Sequence, residues 1–322
     1  MRITIGTSLA VSLLAALAAA PALAQNYPTK PIRMVVANAA GGPTDLVTRI
    51  FALKLGELLG QQIVIDNRPG AGGSVAGDVV AGAPADGYTL CVMSNGTVAI
   101  SPHILKLRYN VAKDLAPVAL IGNSPLALMV FPGLPAKTTQ ELIALARAKP
   151  GAIHFGSSAQ GSTAHLSAEL FRTMAGIDIT HVPYKGAAPA LVGVISGEVQ
   201  MLISGLSASF PAIKAGQVRA LGISSPKRLP LVPDLPTIAE AVPGYEADSW
   251  YAILTREGTP KAVVAKLSET SLTVINHPEI RGKLEAAGIR PEALTPEQLG
   301  AKIRRETERW GKVVQAAGVT AQ

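Results

Sequence analysis

Gly41 and Gly42 stand between an apolar run, "IRMVVAN", and a helical pattern that opens near Thr44. A strand that ends in glycines and turns into a helix leaves backbone N–H groups bare at the helix N-terminus. Those groups and the helix dipole together attract an anion. A second stretch, "HFGSSAQGSTAHLSAELF", repeats the arrangement. Its strand ends at Ser157, the chain turns through Ser158 and Gly161, and a helix starts near Ser162 and Thr163. His165 falls on the first helical turn, where it either touches a ligand or caps the loop. Alone, the first glycine pair reads as an ordinary glycine-assisted turn. Two such loops at the carboxyl ends of strands suggest instead one anion held between two helix N-termini.

The spacing excludes several other chemistries. No Lys-Ser/Thr follows Gly41-Gly42, so a P-loop is absent, and "GAGGSV" places Val75 where a dinucleotide fingerprint needs glycine. A nucleophile elbow requires G-x-S-x-G, but "GSSAQ" has Gln160 and "GLSAS" has Ser209 in the closing position. Asp45, Asp86 and Asp248 form no recognisable acid–base pair. The 5 histidines show no metal-ligand spacing. No cofactor and no metal are expected, and the residues describe a binder; the alternative from another class is a periplasmic hydrolase using a serine near the second loop. The formal charge is +7, but aromatic residues are only 4% and most basic residues are scattered. That pattern argues against nucleic acid and suits a mild field that attracts small anions. The exception is Lys302, Arg304, Arg305, Arg309 and Lys312, interspersed with Glu297, Glu306 and Glu308. Leu299, Ile303, Trp310 and Val314 recur there near helical spacing, so a solvated amphipathic helix is expected. The single cysteine, Cys91, sits in the strand-like "YTLCVMS" and reads as a buried thiol.

These loops need elements to hold them. Residues 1–24 read as a signal peptide: Arg2, an apolar run, and Ala22 and Ala24 at the small-residue positions of a cleavage site before Gln25. The run is shorter than the roughly 20 apolar residues of a spanning helix, so a periplasmic product is expected. Beyond it, strand and helix patterns alternate. "IRMVVAN", "QIVID" and "ADGYTLCVMS" are strands, with a helix from Thr44 to a stop at Gly60 and a short helix before Ala83. "AIHFGSS", "DITHVPY", "VQMLISG" and "VRALGIS" are strands of a second unit. Its helices open with the capping-box spacing Thr138/Glu141, with "STAHLSAELFRTMAG", and with "APALVGVISGE". "LAPVALIGNSPLALMVFPG" crosses from one unit to the other and "GYEADSWYAILTREGTP" returns. Thr259 is then expected as the N-cap of a closing helix, with Pro260 at its first position. The fold class is α/β: two doubly wound lobes, 25–123 with 250–322 and 124–249, joined by two crossings with a cleft between.

The chain resembles the substrate-binding proteins of tripartite tricarboxylate transporters, the Bug (TctC-like) family. The matching residues run in order through nearly the whole mature chain: "YPTKPIRMVV", "GGPTDLVTR", "VIDNRPGAGGSVAGDVVA", "ADGYTL", "GSTAHLSAELF", "HVPYKG", "LPLVPDLPTIAEAVPGYE" and "WYAILTREGTP". The resemblance implies a type II periplasmic-binding-protein fold. It also implies a ligand carboxylate pinned between the two loops by backbone N–H groups, hydroxyls and ordered waters. Carried over, the first loop is Ala40, Gly41, Gly42, Pro43, Thr44 and Asp45, and the second runs from Ser157 to His165. Ala40 stands where the family often has proline, and Ala159 where many members have glycine. The implied partners are a small organic carboxylate and a membrane permease with a large and a small subunit, or a membrane sensor in its place; a monomer is expected. The ligand's distal end is expected to meet other strand ends: Asn95 and Thr97 in the first lobe, Ser204 and Ser207 in the second, and Asp248 before the return crossing.

Overall fold

In the computed structural model, which describes residues 27–319, the alternating pattern becomes two sheets, one per lobe. The expected signal peptide and the cleavage site before Gln25 lie outside the described residues. The first lobe opens with β1 (Ile32–Val36), α1 (Pro43–Leu59), β2 (Ile63–Asn67), α2 (Ser74–Ala81) and β3 (Thr89–Ser94). β1 lies between β2 and β3 and is parallel to both. The chain then runs along β4 (Leu115–Ser124), turns at Pro125 and enters the second lobe as β5 (Leu126–Val130).

The second lobe repeats the plan. It contains α3 (Thr139–Ala148), β6 (His154–Ser157), α4 (Thr163–Ala175), β7 (Thr180–Pro183), α5 (Ala187–Ser196), β8 (Met201–Gly205), α6 (Leu206–Lys214) and β9 (Arg219–Ile223). β6 lies between β7 and β8, parallel to both. The return crossing is β10 (Ser249–Arg256). It is followed by α7 (Lys261–Asn276), α8 (Pro278–Ala286), β11 (Arg290–Pro291) and α9 (Pro296–Ala316). The orders are β11-β4-β10-β3-β1-β2 and β7-β6-β8-β5-β9. The crossing strands are antiparallel to their neighbours: β10 to β3 and β4, and β5 to β8 and β9. In each lobe the chain leaves the central strand, forms one outer strand and then the other. The loops after β1 and β3, and after β6 and β8, therefore flank the switch point where an open α/β sheet takes its ligand.

Local sequence explains the elements. Along α1, Val47, Phe51, Leu55 and Leu59 are buried at spacings of four, and Gly60 ends the helix in the left-handed region, φ 67°. Thr138 caps α3 by accepting from the Glu141 N–H, whereas the Glu141 carboxylate reaches the Lys137 N–H. Two expectations are corrected. Pro260, not Thr259, is the N-cap of α7; the Thr259 hydroxyl donates to the Arg256 carbonyl at 2.7 Å, closing the preceding turn instead. The helix α9 buries Leu299, Ile303, Trp310 and Val314 as its periodicity requires, but Lys302 and Glu306 are buried with them. Glu306 accepts from Trp310 Nε1 and Arg309, so its charge is met inside the helix. α9 also packs against α4, which carries the first lobe's core onto the second. Cys91 is buried on β3.

Candidate functional site

A cavity of about 720 Å³ lies between the lobes. Of the residues singled out by sequence, it is lined by Gly41, Pro43, Thr97, Ser158, Gly161, Ser162, Thr163, Ser204 and Ser207. Both glycine loops and both second-strand loops thus reach one space. Ala40, Gly42, Thr44, Asp45, Asn95, Ser157, His165 and Asp248 do not line it. Among the described residues no Asp, Glu, Lys, Arg or His lines the cavity. Its polar surface is hydroxyl, amide and backbone.

The first loop is a small hydrogen-bonded unit. The Gly41 N–H donates to Asp45 Oδ2 at 2.9 Å, and Arg49 Nε donates to the same oxygen at 2.8 Å. Asn67 Nδ2 donates to Asp45 Oδ1 and to the Asn38 carbonyl. Thr44 Oγ1 donates to Asn38 Oδ1 at 2.5 Å. Asp45 is 2% exposed. Burial raises the affinity of its carboxyl for a proton, but Arg49, the Gly41 N–H and Asn67 together outweigh that and hold it below the usual carboxylate range. Asp45 is therefore a loop anchor and not a wall of the cavity.

The second loop has the same plan with an imidazole as its anchor. The Gly161 N–H donates to His165 Nδ1 at 3.0 Å. Ser162 is the N-cap of α4 and accepts from the His165 N–H at 3.2 Å. Ser157 is fully buried beneath the loop, with Oγ 2.7 Å from His181 Nε2 and 3.0 Å from the Ala159 carbonyl.

These bonds revise the expected clamp. The N–H groups of Gly41, Gly42, Gly161 and Ser162 are all taken within the loops, by Asp45, Ala39, His165 and Ala159. The open donors lie one step on, at the first helical positions. The N–H groups of Thr163 and Ala164 donate to no group among the described residues, and both residues line the cavity. In the first lobe Pro43 occupies the first position and has no N–H. Thr44 and Asp45 follow it, and their N–H groups likewise donate to no group among the described residues. The glycines matter for conformation. Gly41 has φ 80° and Gly161 φ 72°, where a side chain is strained. A Cβ on Gly161 would also lie 2.9 Å from Ile104 Cδ1 of the first lobe.

Two distal candidates belong to the crossings instead. Asn95 is fully buried; its Oδ1 accepts from the Gly96 N–H and from Ser249 Oγ, each at 2.9 Å. It caps the π-helical turn Gly96–Ile100 and ties that turn to β10. Asp248 is 4% exposed, with Oδ1 accepting from Ser224 Oγ at 2.5 Å. Its Oδ2 faces Arg290 of β11 at 3.6 Å, beyond hydrogen-bond distance. Burial pushes the Asp248 carboxyl up to about 6, against the pull of Ser224 and Arg290. Thr97 Oγ1 donates to the Gly72 carbonyl, and Ser207 Oγ donates to the Ala287 carbonyl at 2.7 Å, bridging the lobes.

Sequence reading missed Asn38, Ser94, Ser124, Ser249 and Tyr251, which also line the cavity. Ser94, Ser124 and Ser249 are polar residues at the ends of apolar strands β3, β4 and β10, a signal that was available. Asn38, which ends the apolar run "IRMVVAN", carried the same signal, and Tyr251 carried none.

A model of the tripartite tricarboxylate transporter family receptor matches residues 47–319. Protein BugT of Bordetella pertussis is 37% identical over 303 residues, 93% of each chain. Among solved structures, R. palustris Rpa4515 with adipate is 40% identical, with a TM-score of 0.78 over 92% of this chain and 100% of that one. MatC (Rpa3494) from Rhodopseudomonas palustris with bound malate is 32% identical, with a TM-score of 0.74 over 89% and 100%. Two α/β lobes, a cavity at both switch points and a match across the chain agree: this protein belongs to the tripartite tricarboxylate transporter receptor family of solute-binding proteins.

Proposed function

We propose that this receptor captures a small organic carboxylate between its lobes and presents it, unchanged, to a membrane permease with a large and a small subunit. Export to the periplasm with cleavage after Ala24 belongs to the same reading. The observation that carries it is a cavity free of formal side-chain charge, walled by the start of α4 with its open Thr163 and Ala164 N–H groups. A carboxylate there meets the positive end of a helix and the hydroxyls of Ser158, Thr163, Thr97 and Ser204. Relatives solved with adipate and malate support an acid as ligand. The absence of G-x-S-x-G spacing and the full burial of Ser157 support binding without turnover.

The test is thermal denaturation of the exported protein with adipate, malate and their neutral diamides and dimethyl esters. A ligand at about 100 times its dissociation constant stabilises by about 2.7 kcal/mol. An acid is expected to raise the midpoint and its neutral analogue to leave it unchanged. Equal shifts from acid and diamide, or hydrolysis of the ester, would overturn the reading.

A further inference from the structure

Both cleft loops are closed alike, with different chemistry. In each, the N–H of a positive-φ glycine donates to the side chain four residues on: Gly41 to Asp45, Gly161 to His165. A carboxylate held by Arg49 accepts at any pH above its low titration. An imidazole nitrogen accepts only while it carries no proton.

The surroundings of His165 set its tautomer. Nδ1 accepts, so the proton sits on Nε2, which faces Glu169 Oε1 at 3.7 Å; Arg172 Nε holds the other Glu169 oxygen at 2.7 Å. The His165 ring is 3% exposed and stacks on His181 of β7, centroids 3.7 Å apart and 14° from parallel. His181 stacks in turn near Phe155 of β6. Through Ser157, His181 also reaches the Ala159 carbonyl. The two imidazoles therefore hold the loop at Ala159 and at Gly161. Other charged groups on the elements packed here are His154 at the exposed end of β6, exposed Lys185 after β7, and on the buried side of α9 Lys302, near Glu292, and Glu306, which is bonded by Arg309. The loop residues 158–161 carry no charge.

We infer that His165, backed by His181, is a positioning residue for ligand capture: its unprotonated Nδ1 fixes Gly161 and so aims the Thr163 and Ala164 N–H groups into the cleft. This rests on the carboxylate reading above. Protonation would turn the acceptor into a donor facing the Gly161 N–H and place a cation against His181. Burial, and then His181, push His165 down to about 4, so the loop stays tied at neutral pH.

Two measurements test this. The first needs no ligand: follow the Gly161 and Gly41 amide resonances and the His165 ring nitrogens by NMR from pH 7 to pH 3.5. The Gly161 amide is expected to move with His165 protonation, while Nδ1 is the unprotonated nitrogen at pH 7. A silent Gly161 amide, or the opposite tautomer, overturns the inference. The second uses adipate, with malate as a second probe, on wild type, His165→Asn, His165→Gln and His165→Leu. Asn places its Oδ1 where Nδ1 sits; Gln places its amide further out, and Leu has no acceptor. At pH 7 Gln and Leu are expected to lose at least tenfold in affinity, and Asn to recover most of it. Relative to His165→Asn, wild type should weaken about twofold by pH 4 and about fourfold by pH 3.5, since ligand protonation cancels in the ratio. Gln or Leu binding like wild type, Asn as weak as Leu, or tighter wild-type binding in acid overturns it. If neither acid binds wild type at pH 7, the carboxylate reading fails, and the NMR titration alone decides the role of His165.

Discussion

At the scale of single residues, Gly42 and Gly161 look interchangeable in sequence and are not so in structure. Gly42 has φ −73° and ψ 167°, open to any residue, and a Cβ there would meet the Ala39 carbonyl at 3.1 Å. Gly161 combines φ 72° with a 2.9 Å contact to Ile104. Gly161→Ala should therefore cost about 1–2 kcal/mol in strain alone and also displace the loop from the first lobe. At Gly42 the entropy gained by replacing glycine at a compatible backbone angle, about 0.4–1 kcal/mol, opposes the close approach to the Ala39 carbonyl, so Gly42→Ala should be near neutral. Urea denaturation, and affinity for whichever acid probe stabilises the wild type, measured on both variants check this. Equal losses in the two would show that neither backbone angle nor contact with Ile104 governs the loops.

The elements meet at the two crossings, and there Asp248 sets a pH dependence. Its folded carboxyl is raised to about 6, against about 3.9 in an unfolded chain. The folded state therefore binds the proton more tightly. Its stabilising contribution is full below the unfolded value and is lost as pH rises through about 6. The size is at most about 3 kcal/mol, from about two pKa units at about 1.4 kcal/mol each. Asp248→Asn keeps an acceptor for Ser224 and cannot titrate. Its stability should thus gain on wild type between pH 4 and pH 7, read as the difference in urea midpoints. Parallel midpoint curves for the two proteins would contradict this placement of Asp248. Asp45 works with the opposite sign, since its carboxyl is lowered in the fold, but its contribution is common to both proteins and cancels. Asn95 and Asp248 are thus parts of the joint between lobes, which explains why strand-end position alone suggested a ligand role for them.

For the molecule as a whole, the seam beside the cavity is the contact of Ser207 with Ala287 and Gly288. Gly288 has φ 73°, and a Cβ there would lie 2.3 Å from Ser207 Oγ. Gly288→Ala is expected to wedge the lobes apart, enlarging the radius of gyration in solution scattering and weakening at least tenfold whichever acid probe stabilises the wild type. Adding Ser207→Gly should relieve the wedge but not the backbone strain, and Ser207→Gly alone completes the cycle that separates the two. Failure of the double variant to regain affinity would place the defect in Gly288 itself and not in lobe contact.

The sequence by itself determined what is local. Strand–glycine–helix order, the stop at Gly60 and the cap at Thr138 depend on neighbours within about four residues, whose bonds follow from backbone geometry. The α/β class and the two repeated units follow from that grammar. The same locality misled at Thr259: the helix starts one residue later, at Lys261, so Thr259 falls outside the cap position and its hydroxyl donates to the Arg256 carbonyl instead. Only tertiary structure decided which polar groups were spent and which stayed open. Asn95 bonds Ser249 across 154 positions, Ser157 finds His181 across 24, and Asp248 faces Ser224 and Arg290 from two lobes. A buried polar group takes whatever partner the fold brings, because leaving it unpaired costs about 1–3 kcal/mol. The glycine N–H groups expected to hold the ligand are, by contrast, taken locally, by Asp45 and His165 four residues on, so the open donors lie at Thr163 and Ala164.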